Sequence, residues 1–256
     1  MCAGGIALAA PACPATPISF AFFESGLLYS EKTGGGIDKD VMEELARRSK
    51  CQFEFALKPR PRIWQEMERG ELMMTSSALR TEERDAFAWA VTYYSMKVDV
   101  ILRNVNGKAP RSKEEFLKDD SLKMGAARTL RHGEAMDKFI DELRLRNRMT
   151  DVPTGTRYEM FLRDRIAAMP FYPIDTIYME NYDASQFTIA TDWFPTDKAL
   201  PLAMMFSKKY FSKAQVQEWR ALVQQMKDDG TLKKIFTKYT SKETAERLLQ
   251  FPPDSP

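Results

Sequence analysis

Apolar positions along this chain alternate between a period of two and a period near 3.6, in an order that repeats. Ile18 to Phe22 is a short apolar run that reads as a buried strand. A polar loop follows through Gly34, Gly35 and Gly36. Val41, Met42, Leu45 and Ala46 then recur at helical spacing, with Asp38 placed to cap the helix they define. Cys51, Phe53, Phe55 and Leu57 sit at every second position and predict a strand with all four on one face. Pro61 opens a short helix containing Ile63, Trp64 and Met67, Gly70 ends it, and Glu71 to Thr75 returns as a strand. The order β-α-β-α-β is that of a sheet of parallel strands covered by helices.

Ser76 to Tyr94 is the densest cluster of groups able to hold a small charged solute. Two hydroxyls come first, Thr81 can cap a helical turn, Glu82 and Glu83 fall where the helix dipole favours negative charge, and Arg84 leaves that turn. Met96, Val98, Val100 and Leu102 alternate as one more strand of the first unit, and Asn104 to Pro110 punctuates the chain. A second α/β series follows. Ser112 with Glu115 and Thr156 with Glu159 are spaced as capping boxes, Leu122 to Ala127 and Ile166 to Met169 read as strands, and Met136, Phe139, Ile140 and Leu143 mark an amphipathic helix. After Phe187 to Ala190 come a strand at Leu202 to Phe206 and a helix capped by Ser212 with Gln215. Val216, Trp219, Val223 and Met226 share one face of that helix, and Gly230 stops it. Thr231 and Ser241 begin two further helices. Two similar α/β units joined by linkers predict two lobes with a cleft.

Composition narrows the function. Hydrophobic residues make up 44% of the 256 and charged residues 29%, values of an ordinary globular protein. A formal charge of +2 is too small for a nucleic-acid surface, and Arg144, Arg146 and Arg148 read as the solvated face of a helix. No apolar run approaches the ~18 residues that cross a bilayer. The glycine-rich loop lacks phosphate-loop spacing, and no cofactor or metal motif is present. His132, the single histidine, has no triad partner at a recognisable spacing and reads as structural.

Ile6 to Ala15 is small and apolar with an Ala-rich end, like the tail of a secretory signal, although no basic leader precedes it; a frayed apolar terminus is an equal reading. Ala10, Pro11 and Ala12 make a poor lipidation sequence before Cys13. Cys13 shortly precedes one predicted strand and Cys51 opens the next. If those strands are neighbours, the two cysteines come within disulfide reach; otherwise both are free thiols.

Four segments together resemble the periplasmic solute-binding proteins of the polar-amino-acid ABC transporter type, bacterial extracellular solute-binding protein family 3. They are GIDKDVMEELARRS (Gly36 to Ser49), IWQEMERGEL (Ile63 to Leu72), TEER (Thr81 to Arg84) with TYY (Thr92 to Tyr94), and DDGTLKKIFTKY (Asp228 to Tyr239). The resemblance implies an α/β, two-lobed periplasmic-binding-protein-like (type II) fold. Each lobe would be a mostly parallel sheet flanked by helices, with two hinge strands between the lobes. Residues 1–15 would be a signal remnant or disordered N-terminus, 16–102 with 192–256 the first lobe, and 103–191 the second.

It further implies a periplasmic monomer that binds a small solute in the cleft and delivers it to a membrane permease, with no catalysis, cofactor or nucleic acid. By position, Arg84 would hold a solute carboxylate, whereas on residue type alone it reads as a surface arginine paired with a neighbouring acid. Ser77 or Ala78 would add hydroxyl or backbone contacts, and Tyr29 or Trp64 would line the cleft. In the second lobe Thr129 would be a hydroxyl ligand, flanked by Arg128 and Arg131, and the amides before the following helix would face an anion. Tyr172 lies where amino-acid binders carry the acid that pairs with an ammonium group; here that region is Met169, Pro170, Phe171 and Tyr172, and Asp175 is the nearest acid. An enzyme on the same scaffold, such as a cyclohexadienyl-type dehydratase, and an extracellular sensor module are the alternatives.

Overall fold

The run Ile18–Phe22 forms β1, inside the first of two five-stranded sheets. The computed structural model describes residues 11–105, 107–127, 130–153, 156–175 and 183–251. The chain divides into two units. One comprises the chain up to Glu24, Leu28–Ser95 and the chain from Pro201 onward; the other comprises Ser25–Leu27 and Met96–Leu200.

In the first unit, β1 is followed by α1 (Ile37–Ser49), β2 (Phe53–Leu57), α2 (Arg60–Glu68), β3 (Met74–Leu79), the four-residue α3 (Glu82–Asp85) and β4 (Ala88–Met96). The strand order is β2-β1-β3-β10-β4, where β10 (Leu200–Ser207) comes from the far end of the chain. Strand β1 pairs in parallel with β2 and β3, whereas β10 runs antiparallel to β3. The expected mostly parallel sheet is therefore mixed, because β10 enters against the direction of the β-α-β series. The helices α7 (Lys213–Asp228), α8 (Thr231–Thr237) and α9 (Lys242–Leu248) complete this unit. Helix α7 carries the reciprocal Ser212–Gln215 capping box and buries Val216, Trp219, Leu222, Val223 and Met226. Its Trp219 is fully buried and meets Phe53 and Phe206 at ring-centroid distances of 6.0 and 5.8 Å.

The Sγ atoms of Cys13 and Cys51 are joined in a disulfide with a Cα–Cα distance of 5.4 Å. It ties the segment before β1 to the segment before β2, its parallel neighbour. Strand β2 is the sheet edge, so its alternation does not translate into a buried face: Phe55 stays 39% exposed while touching Phe20, Phe22 and Phe53. The strand expected at Glu71 to Thr75 lies instead at Met74–Leu79.

The second unit contains β5 (Asp99–Arg103), α4 (Lys113–Lys118), β6 (Met124–Ala126), α5 (Glu134–Leu145), β7 (Met149–Asp151), α6 (Arg157–Leu162), β8 (Ala168–Phe171) and β9 (Phe187–Ala190). Its strand order is β7-β6-β8-β5-β9, with β6 parallel to β7 and β8, and β5 antiparallel to β8 and β9. Strand β5, read from sequence as the last strand of the first unit, thus lies between β8 and β9 of the second. Ile101, between the alternating Val100 and Leu102, is as fully buried as they are, so both faces of β5 are covered. The boundary expected after 102 falls after Ser95, and residues 192–200 go with the second unit. Helix α5 buries Met136, Phe139, Ile140 and Leu143, the residues its periodicity marked. Ser112 caps α4 by accepting from the N–H of Glu115, but Thr156 makes no side-chain cap on α6.

Candidate functional site

Between the pairs Ala78–Ala203 and Thr75–Met205, β3 has Ser76 and Ser77 where β10 has only Met204. This is a β-bulge, and Ser77 carries its strain as a left-handed residue with φ of 50°. In a regular strand, consecutive side chains point to opposite faces. Here the bulge turns both hydroxyls toward Asp38. The Ser76 hydroxyl donates to Asp38 Oδ2 at 2.7 Å, and the Ser77 Oγ lies 2.7 and 3.0 Å from the two carboxylate oxygens. The Tyr93 hydroxyl also donates to Asp38 Oδ1, and Tyr94 donates to Ser77 Oγ at 3.0 Å. Asp38 is therefore no helix cap: Gly36 holds the N-cap position of α1 with no side-chain cap bond, and Asp38 is the buried acceptor of three hydroxyls. Burial pushes its pKa up, against the pull of the bonds from Tyr93, Ser76 and Ser77.

Arg60, the first residue of α2, holds the bulge from the other side. Its guanidinium donates to the carbonyls of Ser76 and Ser77 at 3.1 and 3.0 Å and to the Thr75 hydroxyl at 3.4 Å. It lies 4.0 Å from the ring centre of Phe23 and 4.5 Å from that of Trp64. One turn after Arg60, Trp64 also receives Arg84, whose guanidinium carbon is 3.9 Å from the indole centre. The Arg84 N–H is capped by Thr81 Oγ1 at 3.2 Å, and Nη1 donates to the Leu79 carbonyl at 2.7 Å. Burial, and after it the charge of Arg84, lowers the pKa of Arg60 to about 9.

Of the residues singled out in the first unit, Ser77, Trp64 and Arg84 thus come together through Arg60. Ala78 is fully buried in the apolar cluster of Phe23, Ile63 and Met67, and half-buried Tyr29 stacks on Phe22 at 4.6 Å. Sequence reasoning missed Arg60 and gave Asp38 the wrong role. An arginine at a helix start looks ordinary until its carbonyl partners are known.

In the second unit, Arg128 and Thr129 lie outside the described residues, and Arg131 is exposed. Tyr172 is buried, and its hydroxyl shares a 2.5 Å hydrogen bond with His132 Nδ1. Asp175 is fully enclosed and ion-pairs with Arg157, while the Tyr158 hydroxyl donates to it at 2.9 Å. Burial disfavours the Arg157 charge, but the Asp175 carboxylate outweighs it and holds the guanidinium protonated. The helix end expected to face a solute anion already has one: Asp197 accepts from the N–H groups of Ala135 and Met136 at 2.9 and 3.0 Å. Gly133 fits beside it because a Cβ there would lie 2.6 Å from Asp197 Oδ2. Among the described residues no His, Cys, Asp and Glu group could hold a metal ion.

Burial, and then the charges of Arg157 and Arg131, lowers the His132 pKa from 6.5 to about 3. The unfolded chain takes up this proton near pH 6.5 and the folded chain refuses it until about 3, so this group's contribution to stability falls as the pH drops through that window. Because His132 is the only histidine, its ring NMR signals are expected to stay neutral at about pH 5. A titration midpoint near the ordinary histidine value would show the ring to be solvated.

Two units, each a mixed five-stranded sheet flanked by helices, define the two-lobed periplasmic-binding-protein-like (type II) fold. Residues 23–242 match the bacterial extracellular solute-binding proteins, family 3, and the chain belongs to that family. No curated protein matches it in sequence. Among solved structures it is similar to the amino acid ABC transporter substrate-binding protein AbpA from Streptococcus pneumoniae bound to L-arginine, at 15% identity and a TM-score of 0.69 over 90% of this chain and 95% of that one. The arginine-, lysine-, histidine-binding protein ArtJ from Geobacillus stearothermophilus gives 14% and 0.68 over 88% and 95%. The ancestral amino acid-binding protein AncCDT-1, a precursor of cyclohexadienyl dehydratase, gives 16% and 0.69 over 88% and 95%.

Proposed function

We propose that the chain binds a small solute bearing a carboxylate, an amino acid or a related organic acid, in the periplasm and delivers it to a membrane ABC importer, as a monomer and without catalysis. Family membership supports the transport role. The observation that carries the solute chemistry is the setting of Arg84, oriented by the Trp64 ring and by the Leu79 carbonyl. A guanidinium held this way has little rotamer freedom left to lose when its planar fork meets a carboxylate. Trp64 and the left-handed Ser77 belong to the same group of residues, with Ala78 and Tyr29 as further contacts from the first unit.

A thermal-shift screen of amino acids, dicarboxylates and small aromatic acids tests this. A solute at 100 times its Kd adds about 2.7 kcal/mol to stability, and Arg84→Ala is expected to remove that gain. An unchanged shift in the variant refutes the carboxylate assignment. The likeness to a dehydratase precursor motivates a second reading, an enzyme that releases water from the bound acid. Chemical change in a recovered solute would decide for it.

A further inference from the structure

The first unit holds a cavity of about 170 Å³, open to solvent, that is lined by none of the residues assigned above to the solute. Its walls come from α3, the start of β4, the end of β10 and α7. Along α7, Lys213, Gln217 and Arg220 recur four and three residues apart and share one face, while Trp219, Val223 and Met226 take the core side. Across the cavity, Lys208 donates through Nζ to the Asp85 carbonyl and lies 4.2 Å from the ring centre of Trp89. The Trp89 ring is itself fixed, because its indole N–H donates to the Phe211 carbonyl at 3.0 Å.

The charges of this lining are unequal: Arg80, Lys208, Lys213 and Arg220 stand against one acid, Asp85. Asp85 adds its field, but its carboxylate is engaged by Arg80, whose Nε lies 3.0 and 2.8 Å from the two oxygens. Arg220 is engaged as well, donating to the Ala90 carbonyl at 3.0 Å and to Gln217 Oε1 at 2.8 Å. The two lysines differ from these arginines. Lys208 has a neutral carbonyl and a ring for neighbours, and the exposed Lys213 side chain forms no hydrogen bond or ion pair with any described residue. Nearby acids point elsewhere: Glu218 accepts from the Ala12 N–H at 3.0 Å, and Glu82 and Glu83 lie outside the lining. Because Gln217 spends its oxygen on Arg220, its amide N–H groups are left as donors.

A single exposed lysine is well hydrated and needs no partner. Two ammonium groups and an amide that converge on one concavity are a different case, since an anion with several oxygens can meet them together and sits in their summed field. We infer that this cavity is a second anion site, for a small, multiply charged oxyanion of the phosphate or sulfate type. Lys208, Lys213 and Gln217 are its donors, and its volume takes one such ion with some of its water. A singly charged carboxylate gains less from the same field.

The test is titration of the full ¹⁵N-labelled chain with sodium phosphate and with sodium sulfate, each against sodium chloride at equal ionic strength. The NMR signals of the Trp89 indole and the Gln217 amide are the readout. Phosphate and sulfate are expected to give saturable shifts there with a Kd of about 1 mM or tighter at low salt, and chloride to give none. Lys208→Gln and Lys213→Gln are each expected to weaken binding roughly fivefold, and Lys208→Arg, which keeps the charge, to retain it. Equal shifts with chloride would reduce the effect to screening and overturn the site. So would affinities unchanged in both glutamine variants, or shifts at the Trp64 indole in place of Trp89. The thermal-shift screen with Arg84→Ala is decided independently of these outcomes, so the two readings fail separately.

Discussion

Gly36→Ala is expected to destabilise the first unit by roughly 4 kcal/mol or more, near the upper end for single substitutions. Gly36 has a φ of +153°, and a Cβ there would lie 2.3 Å from the Leu28 carbonyl oxygen and 2.8 Å from the Tyr29 Cα. These are backbone atoms, and they cannot turn aside as a side chain could. The Leu28 carbonyl also accepts the Asp38 N–H at 2.9 Å, so any shift that relieves the clash displaces the carboxylate on which three hydroxyls converge. Gly34→Ala is the matched control: its φ is +62° but nothing lies within 4 Å of the added methyl, and a cost of only about 1 kcal/mol is expected. Urea unfolding of the two variants checks this, and equal midpoints would show that the Leu28 contact is not the cause.

Asp38→Ala is expected to cost about 3 kcal/mol or more, because the hydroxyls of Ser76, Ser77 and Tyr93 lose their common acceptor inside the protein. Asp38→Asn keeps one oxygen and is expected to be much milder. The pH dependence separates charge from hydrogen bonding. Since burial raises the folded pKa of Asp38 above its ordinary value, the folded chain holds that proton more firmly than the unfolded one. The group therefore favours folding at low pH, and this contribution fades as pH rises through the folded value. Asp38→Asn should remove that part of the pH dependence. Unfolding curves that are equally pH-dependent in wild type and Asn variant would contradict a buried, shifted Asp38.

Local patterns were readable where a local pattern decides the outcome. The faces of α5 and α7, the Ser212–Gln215 box and the stop at Gly230 follow from residues within a few positions of one another. What could not be read depends on partners distant in sequence. Strand β5 changed sheets because β8 and β9, far along the chain, pair with it, and Phe55 is exposed because no strand lies beyond β2. The site divides the same way. Arg84 stands out by its place after Thr81, but the bulge at Ser76–Ser77 exists only against Met204, and Arg60 matters only once that bulge presents its carbonyls. Alternation alone would have put the two serine hydroxyls on opposite faces.

The strand order β2-β1-β3-β10-β4 also has a consequence for how the protein is made. Strand β10 sits between β3 and β4, yet all of it except Leu200 is synthesised after Met96–Leu200. Until it is made, the first sheet lacks the strand between β3 and β4, whereas the second unit is almost continuous in sequence. The bulge at Ser76–Ser77, and with it the arrangement of hydroxyls around Asp38, therefore depends on a strand that is made near the end of synthesis.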